Sequence, residues 1–223
     1  ARKRPLTEAV MEAPTAVIGN TGFLGVPMLV LVLGPEAAAT VLLVLVIDLI
    51  LFSSLLTIII TAAKEGHISP RLPGVIGRGL IKNPMVVSMA LGLLWSATGL
   101  GLAEPISATM ALLGAAATPG ALFAIGASLT NNRAERLTVA GWLSFAKLVL
   151  HPTAVGFGAL FIFGVDPFAA GVLICAAALP VAGNVYILAQ HYNVAVARVS
   201  AAILISTAIS VATLPVVISQ FTG

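Results

Sequence analysis

The chain has 223 residues, of which 59% are hydrophobic and only 9% charged, and its mean hydropathy is +1.10. A soluble domain carries about 25% charged residues, so this composition excludes a surface that faces water throughout. The formal charge of +3 would suit a nucleic-acid partner, but the distribution of the basic residues gives it a different meaning below.

The apolar residues fall into seven runs of roughly 20 residues, the length that crosses a ~30 Å hydrocarbon core at 1.5 Å per residue. Each run is continuously apolar instead of alternating, which predicts helices and not a barrel. The first run, Pro14–Leu33, contains Gly19-Asn20-Thr21-Gly22-Phe23-Leu24-Gly25-Val26-Pro27. Glycine costs a helix about 1 kcal/mol and proline about 3, so an interruption near Gly22–Pro27 is expected. The second, Ala37–Ala62, carries Asp48 about 11 residues from its nearer end, at least ~16 Å from both interfaces. An ionised side chain at that depth needs a partner or a watery cavity. The connection Ala63–Asn83 is too short for a core of its own. The third and fourth runs are Pro84–Leu102 and Ile106–Leu129, the latter with Pro119 and Gly120 as an expected kink and Ser128 near its end. The fifth, Thr138–Phe163, holds Lys147 and, one turn on, His151 followed by Pro152. Such groups suit proton coupling, and a buried Asp48–Lys147 pair that only fixes packing is the alternative. The sixth, Pro167–Gln190, reads Leu179-Pro180-Val181-Ala182-Gly183-Asn184 near its middle and is expected to break there. Cys175, the single cysteine, lies in the same run as a small packing residue, which leaves no disulfide or cysteine metal cluster. The seventh run is Val199–Ser219.

Ten of the eleven basic residues fall in alternate connections. Arg2, Lys3 and Arg4 precede the first run; Lys64, Arg71, Arg78 and Lys82 follow the second; Arg133, Arg136 and Arg198 lie in later connections of the same parity. Positive charge collects on the cytoplasmic side, so the start is expected in the cytoplasm and the end outside. Seven-helix receptors and rhodopsins run the other way, and a retinal lysine would stand in the last span. Glu12 is expected near the start of a helix, and Trp142 and Tyr192 at an interfacial aromatic belt.

Unwound backbone at membrane depth is tolerated where it is buried or lines a watery cavity. Half-helix N-termini there offer free N–H groups and a positive dipole end to an anion, and the asparagines add donors and an acceptor. Close-packing glycines and an ordinary proline kink are the alternative.

At these residues the chain resembles the auxin efflux carrier family. Gly19 to Pro27 is similar to that family's Gly-Asn-x-Gly-Phe-x-Gly-x-Pro stretch. Leu179-Pro180 through Asn184, with Leu188-Ala189-Gln190-His191-Tyr192-Asn193, is similar to its second crossover helix. Thr118–Leu129 and Lys147–Pro152 also resemble family segments. The resemblance implies an all-α integral membrane bundle, with seven spans visible of a ten-span inverted-repeat transporter whose two broken crossover helices meet at the substrate site. Residues 1–62 would be the last two spans of the first five-span repeat, 63–83 a cytoplasmic linker and 84–219 the complete second repeat. Three spans are then expected ahead of Ala1. The implied function is secondary transport of a small organic anion, a mono- or dicarboxylate of the bacterial malonate type. It would be proton-coupled or exchanging, and sited in a bacterial inner membrane. Candidate substrate residues are Asn20, Thr21, Gly22, Gly25, Pro27, Pro180, Gly183 and Asn184; candidate coupling residues are Asp48, Lys147 and His151. The partners are the anion, the lipid bilayer and protons, with a homodimer left open and no nucleic acid.

The other readings are a sodium-coupled symporter of the bile-acid/arsenite type and a channel or membrane sensor. No acidic cluster surrounds either break to hold sodium. An intramembrane serine protease needs glycines flanking its nucleophile, which Ser128 lacks, and an aspartyl one needs two membrane aspartates. His67 and His191 lack metal-ligand spacing, so neither metal nor cofactor is expected.

Overall fold

The computed structural model describes residues 5–65, 72–82, 84–129 and 137–221. Arg2, Lys3, Arg4, His67, Arg71, Arg133 and Arg136 lie outside these residues, as do the side chains of Lys64 and Ser128. The described residues are helical apart from connections, with one isolated β-bridge between Gly19 and Val181.

In chain order, α1 (Leu6–Val17) is followed by α2 (Thr21–Leu33). Helix α3 runs from Ala37–Val46 through a π-turn, Ile47–Phe52, into Ser53–Glu65. Within the expected linker lies α4 (Leu72–Lys82), and α5 (Pro84–Ala97) and α6 (Glu104–Leu129) follow, the latter running through Pro119 and Gly120. Helix α7 (Leu137–Ile162) contains π-turns at Ala146–Leu150 and Gly158–Ile162. Then come α8 (Pro167–Ala177), α9 (Gly183–Tyr192) and α10 (Val196–Ser219).

Among the described residues, three helices are long and apolar enough to cross a membrane: Ala37–Ile60, Leu137–Ile162 and Val196–Ser219. The first and sixth expected spans are each divided into two shorter helices, and α5 has only 14 residues, about 21 Å. Large apolar side chains face outward, Leu31 at 84% exposure and Val211 at 75%. Such a surface belongs in lipid and not in water.

Local chemistry explains where the helices stop. Asp166 caps α8, its carboxylate accepting from the N–H groups of Phe168 and Ala169 at 3.1 Å each, with Pro167 at the first helical position. The helix ends at Ala177 because Leu179 precedes Pro180, and a residue before proline is pushed out of the helical region. Helix α9 ends on Asn193 in the left-handed conformation, and α2 on Gly34 with φ +97.

The first break differs in place from the expectation. The chain leaves the helix at Ile18–Asn20, a few residues ahead of Gly22–Pro27, and Gly22, Gly25 and Pro27 sit within α2. The physical reason is a π-turn over Thr21–Gly25, in which the Val26 N–H donates to the Thr21 carbonyl. That wider turn accommodates Pro27, which has no N–H and would crowd a carbonyl in a tight α-turn. Helix α1 also begins earlier than expected, and Pro14 lies inside it.

The two breaks touch. Asn20 N–H donates to the Pro180 carbonyl at 2.8 Å, and Ala182 N–H donates to the Ile18 carbonyl at 3.1 Å. Two apolar clusters flank this crossing. One joins Leu29, Val41, Val172, Cys175 and Leu179; the other joins Met11, Ile18, Ile60, Val181, Val185 and Ile203. The first half of α3 packs on α8 and its second half on α1, while α7 packs on α10 with its first half and on α8 with its second.

The close approach of the breaks is eased by the absence of a side chain on Gly19. A Cβ there would meet the Ala176 carbonyl oxygen at 3.1 Å and Leu179 Cβ at 3.3 Å, whereas the one tight contact of a Cβ on Gly25 would be the end of a side chain, Leu179 Cδ1, at 2.6 Å. Gly19→Ala is therefore expected to cost about 1–3 kcal/mol and Gly25→Ala clearly less, because a leucine terminus can rotate away and a backbone carbonyl cannot. Thermal unfolding of the two variants in detergent checks the order; equal losses would contradict it.

Candidate functional site

Each of the two long helices that flank the crossing carries a π-turn at its level, and each π-turn carries a buried ionisable residue. Asp48 belongs to Ile47–Phe52 in α3 and is 7% exposed; Lys147 belongs to Ala146–Leu150 in α7 and is fully buried. A π-turn widens the helix by one residue and re-aims its side chains, and such turns gather at functional sites.

The Thr21 hydroxyl lies 3.4 Å from Asp48 Oδ2 and 3.4 Å from the Gly19 carbonyl oxygen, long contacts that tie the carboxylate to the first break. The Lys147 ammonium donates to the Ala177 carbonyl oxygen, the last of α8. His151 Nδ1 lies 3.4 Å from that ammonium and 3.3 Å from the same oxygen.

Helices α2 and α9 both begin at the crossing, and neither N-terminus has a side-chain cap. Both N-termini border the same small space, where the positive ends of the two helix dipoles meet. A cavity of about 10 Å³, room for a single water, lies there among Asn20, Gly22, Asp48, Gly183 and Asn184. Asn20 is 3% exposed, and Asn184 Oδ1 is buried without a hydrogen-bond partner. A second cavity of about 150 Å³ opens beside it, lined by Gly19, Thr21, Asp48 and His151 with an apolar wall that includes Val44, Phe52 and Leu173.

Of the expected site residues, Asn20, Gly22, Gly183, Asn184 and Asp48 line the first cavity, and Thr21, Asp48 and His151 the second, while Lys147 lines neither and sits behind them on the Ala177 carbonyl. Pro180 supplies the carbonyl that pairs with Asn20. Gly25 packs against Leu179, one turn away, and Pro27 lies further along α2, where it shapes the helix without lining either cavity.

Residues 1–218 match the family of membrane transport proteins that contains the auxin efflux carriers. The chain belongs to this family. A protein of Rhizobium meliloti (strain 1021) named "Putative malonate transporter" is 32% identical over 215 residues, which is 95% of this chain and 67% of that protein. The chain is accordingly a membrane transport protein and not an enzyme.

Some residues of this transport protein have roles that their sequence reading did not give them. Ser206 in α10 accepts from the Val181 N–H at 3.1 Å and donates to the Ile203 carbonyl, holding the second break from behind. Arg198 is not a loop residue. At 7% exposure it pairs with Glu8 at 2.7 Å and with Glu12, joining the start of α10 to α1. The spacing of Glu8 and Glu12, one helical turn apart, was the available clue. Tyr192 donates to the Thr57 hydroxyl at 3.2 Å, a tertiary role the aromatic-belt reading did not include, whereas Trp142 is 59% exposed.

Ser206→Ala leaves the Val181 N–H unpaired in an apolar setting and is expected to cost about 1–3 kcal/mol, with Ser206→Thr largely restoring stability. Thermal unfolding of both variants reads this out; an alanine variant as stable as the parent would remove Ser206 from the crossing's support.

Proposed function

We propose that this carrier moves a small organic anion, a mono- or dicarboxylate, by alternating access around the paired breaks. The observation that carries the reading is the meeting of two uncapped helix N-termini at a pocket holding Asn20 and an unpartnered Asn184 oxygen. Uncapped N-termini favour a carboxylate through their free N–H groups and dipoles. The Asn184 amide, turned about its last torsion, would present its donor to the same anion. Malonate is the first substrate to test, on the strength of the Rhizobium relative's name.

In this reading Asn20, Thr21, Gly22, Gly183 and Asn184 contact the substrate, and Gly25, Pro27 and Pro180 set the backbone that presents them. Asp48 shares the pocket with the anion, so its proton must be present when the anion binds or be lost as the anion leaves. Lys147 supplies the balancing charge, with His151 beside it as a further coupling residue, and transport is proton-coupled or exchanging. The protein sits in a bacterial inner membrane with residue 1 in the cytoplasm and residue 223 outside. It belongs to a ten-span inverted repeat in which residues 1–62 end the first half and 84–219 form the second.

Asn20→Ala and Asn184→Ala are expected to insert normally yet to weaken carboxylate binding by about 1–3 kcal/mol each, roughly 5- to 150-fold. Uptake of a labelled carboxylate panel into proteoliposomes, with malonate first, measures it. Wild-type affinity and rate in both variants would sink the reading.

A double-mutant cycle tests the coupling. If Asp48 carries the proton, Asp48→Asn remains folded and exchanges substrate but no longer responds to an imposed pH gradient. If Asp48 and Lys147 are a static pair, each single variant is destabilised and the double variant recovers. A stable Asp48→Asn with undiminished pH-driven uptake would end the proton role.

A further inference from the structure

The end of α8 is built to hold a cation. Helix α8 stops at the break, so its last carbonyls have no following turn to satisfy them and carry the negative end of the helix dipole. Ala178 N–H takes the Ile174 carbonyl and Leu179 N–H takes that of Ala176, the latter at 3.3 Å, which leaves the Ala177 oxygen to side chains. Into this place α7 delivers the Lys147 ammonium, fully buried and bonded to Ala177 O, with His151 Nδ1 3.4 Å away. A Cβ on Gly19 would lie 3.4 Å from Lys147 Nζ and 3.1 Å from Ala176 O, so the ammonium, two carbonyl-bearing residues of α8 and the first break converge on one spot. Unwound backbone and half-helix C-termini are the groups with which broken-helix carriers hold monovalent ions. An ammonium is a compact point charge with three donors and is the side chain closest to such an ion.

We propose that Lys147 is a resident counter-cation: its ammonium occupies the seat that a free monovalent cation would take at the C-terminal end of α8. The carrier then needs no coupling sodium, because the charge that sodium would bring is already tethered. The proposal deepens the carrier reading above and rests on it for its bearing on transport. The seat itself is a property of the fold.

The seat is tested by stability, which requires no substrate. The wild-type protein in bilayer nanodiscs is expected to unfold at the same temperature in sodium chloride as in N-methylglucamine chloride, a cation too bulky to enter. A sodium-specific rise would overturn the proposal, whether or not any variant folds. Lys147→Ala in N-methylglucamine is expected to lose several degrees. Methylammonium should return most of them with a saturable concentration dependence, as for any ligand that binds only the folded state. Lys147→Met, which fills the space without the charge, should lose stability and gain nothing from methylammonium. A Lys147→Met protein as stable as the wild type, or a Lys147→Ala protein indifferent to small cations, would show that Lys147 only fills space. Methylammonium rescue without carboxylate uptake would keep the seat and discard the carrier reading. Uptake without rescue would do the reverse.

Discussion

A helix that stops inside a bilayer leaves N–H and carbonyl groups that lipid cannot satisfy, at several kcal/mol for each group. In this chain two such helices meet that need with one another, through the Asn20–Pro180 and Ile18–Ala182 hydrogen bonds. Much else follows from this pairing. It favours a glycine at position 19, places Leu179 and Val181 in separate apolar clusters, and calls on Ser206 to finish the polar accounting of the second break. It also brings α2 and α9 together by their positive ends, an arrangement that repels itself until a negative group lies between them.

The ionisable residues answer that geometry. Asp48 stands beside the helix N-termini, and Lys147 stands against the C-terminal end of α8, so each charge lies at the dipole end of opposite sign. A buried charge is tolerable only with such compensation. The two residues are therefore part of how the crossing is stabilised as well as candidates for what it transports.

How much of this was legible in sequence depended on the kind of force involved. Hydropathy runs located the apolar helices, though not α4, because lipid burial is a property of whole segments, and proline, glycine and asparagine inside apolar runs marked both breaks. The first break was displaced because backbone hydrogen bonding, and not residue preference, decides where the helix resumes. Gly22, Gly25 and Pro27 looked like breakers, yet a π-turn lets α2 absorb them. That Asp48 and Lys147 lie inside apolar helices was readable from distance along the chain, but their setting was not. Neither π-turn has a sequence signature, and the partner of Lys147 is a backbone carbonyl that every residue possesses. Ser206 was hidden for the same reason, as one small polar residue among several in an apolar helix. Arg198 read as a loop cation because the carboxylates it pairs with lie 186 and 190 positions away.

The π-turns at Ile47–Phe52 and Ala146–Leu150 carry one further consequence, for length rather than for charge. A π-turn holds one residue more than an α-turn needs. Removing a residue from an ordinary stretch of α3 or α7 would rotate everything beyond it by about 100° and draw it back by about 1.5 Å. Removing one from a π-turn takes away only the surplus and leaves the far half of the helix facing its old neighbours. Each ionisable residue therefore stands on what amounts to a single-residue insertion, and the crossing could have acquired or lost its charges by insertion and deletion without repacking the bundle.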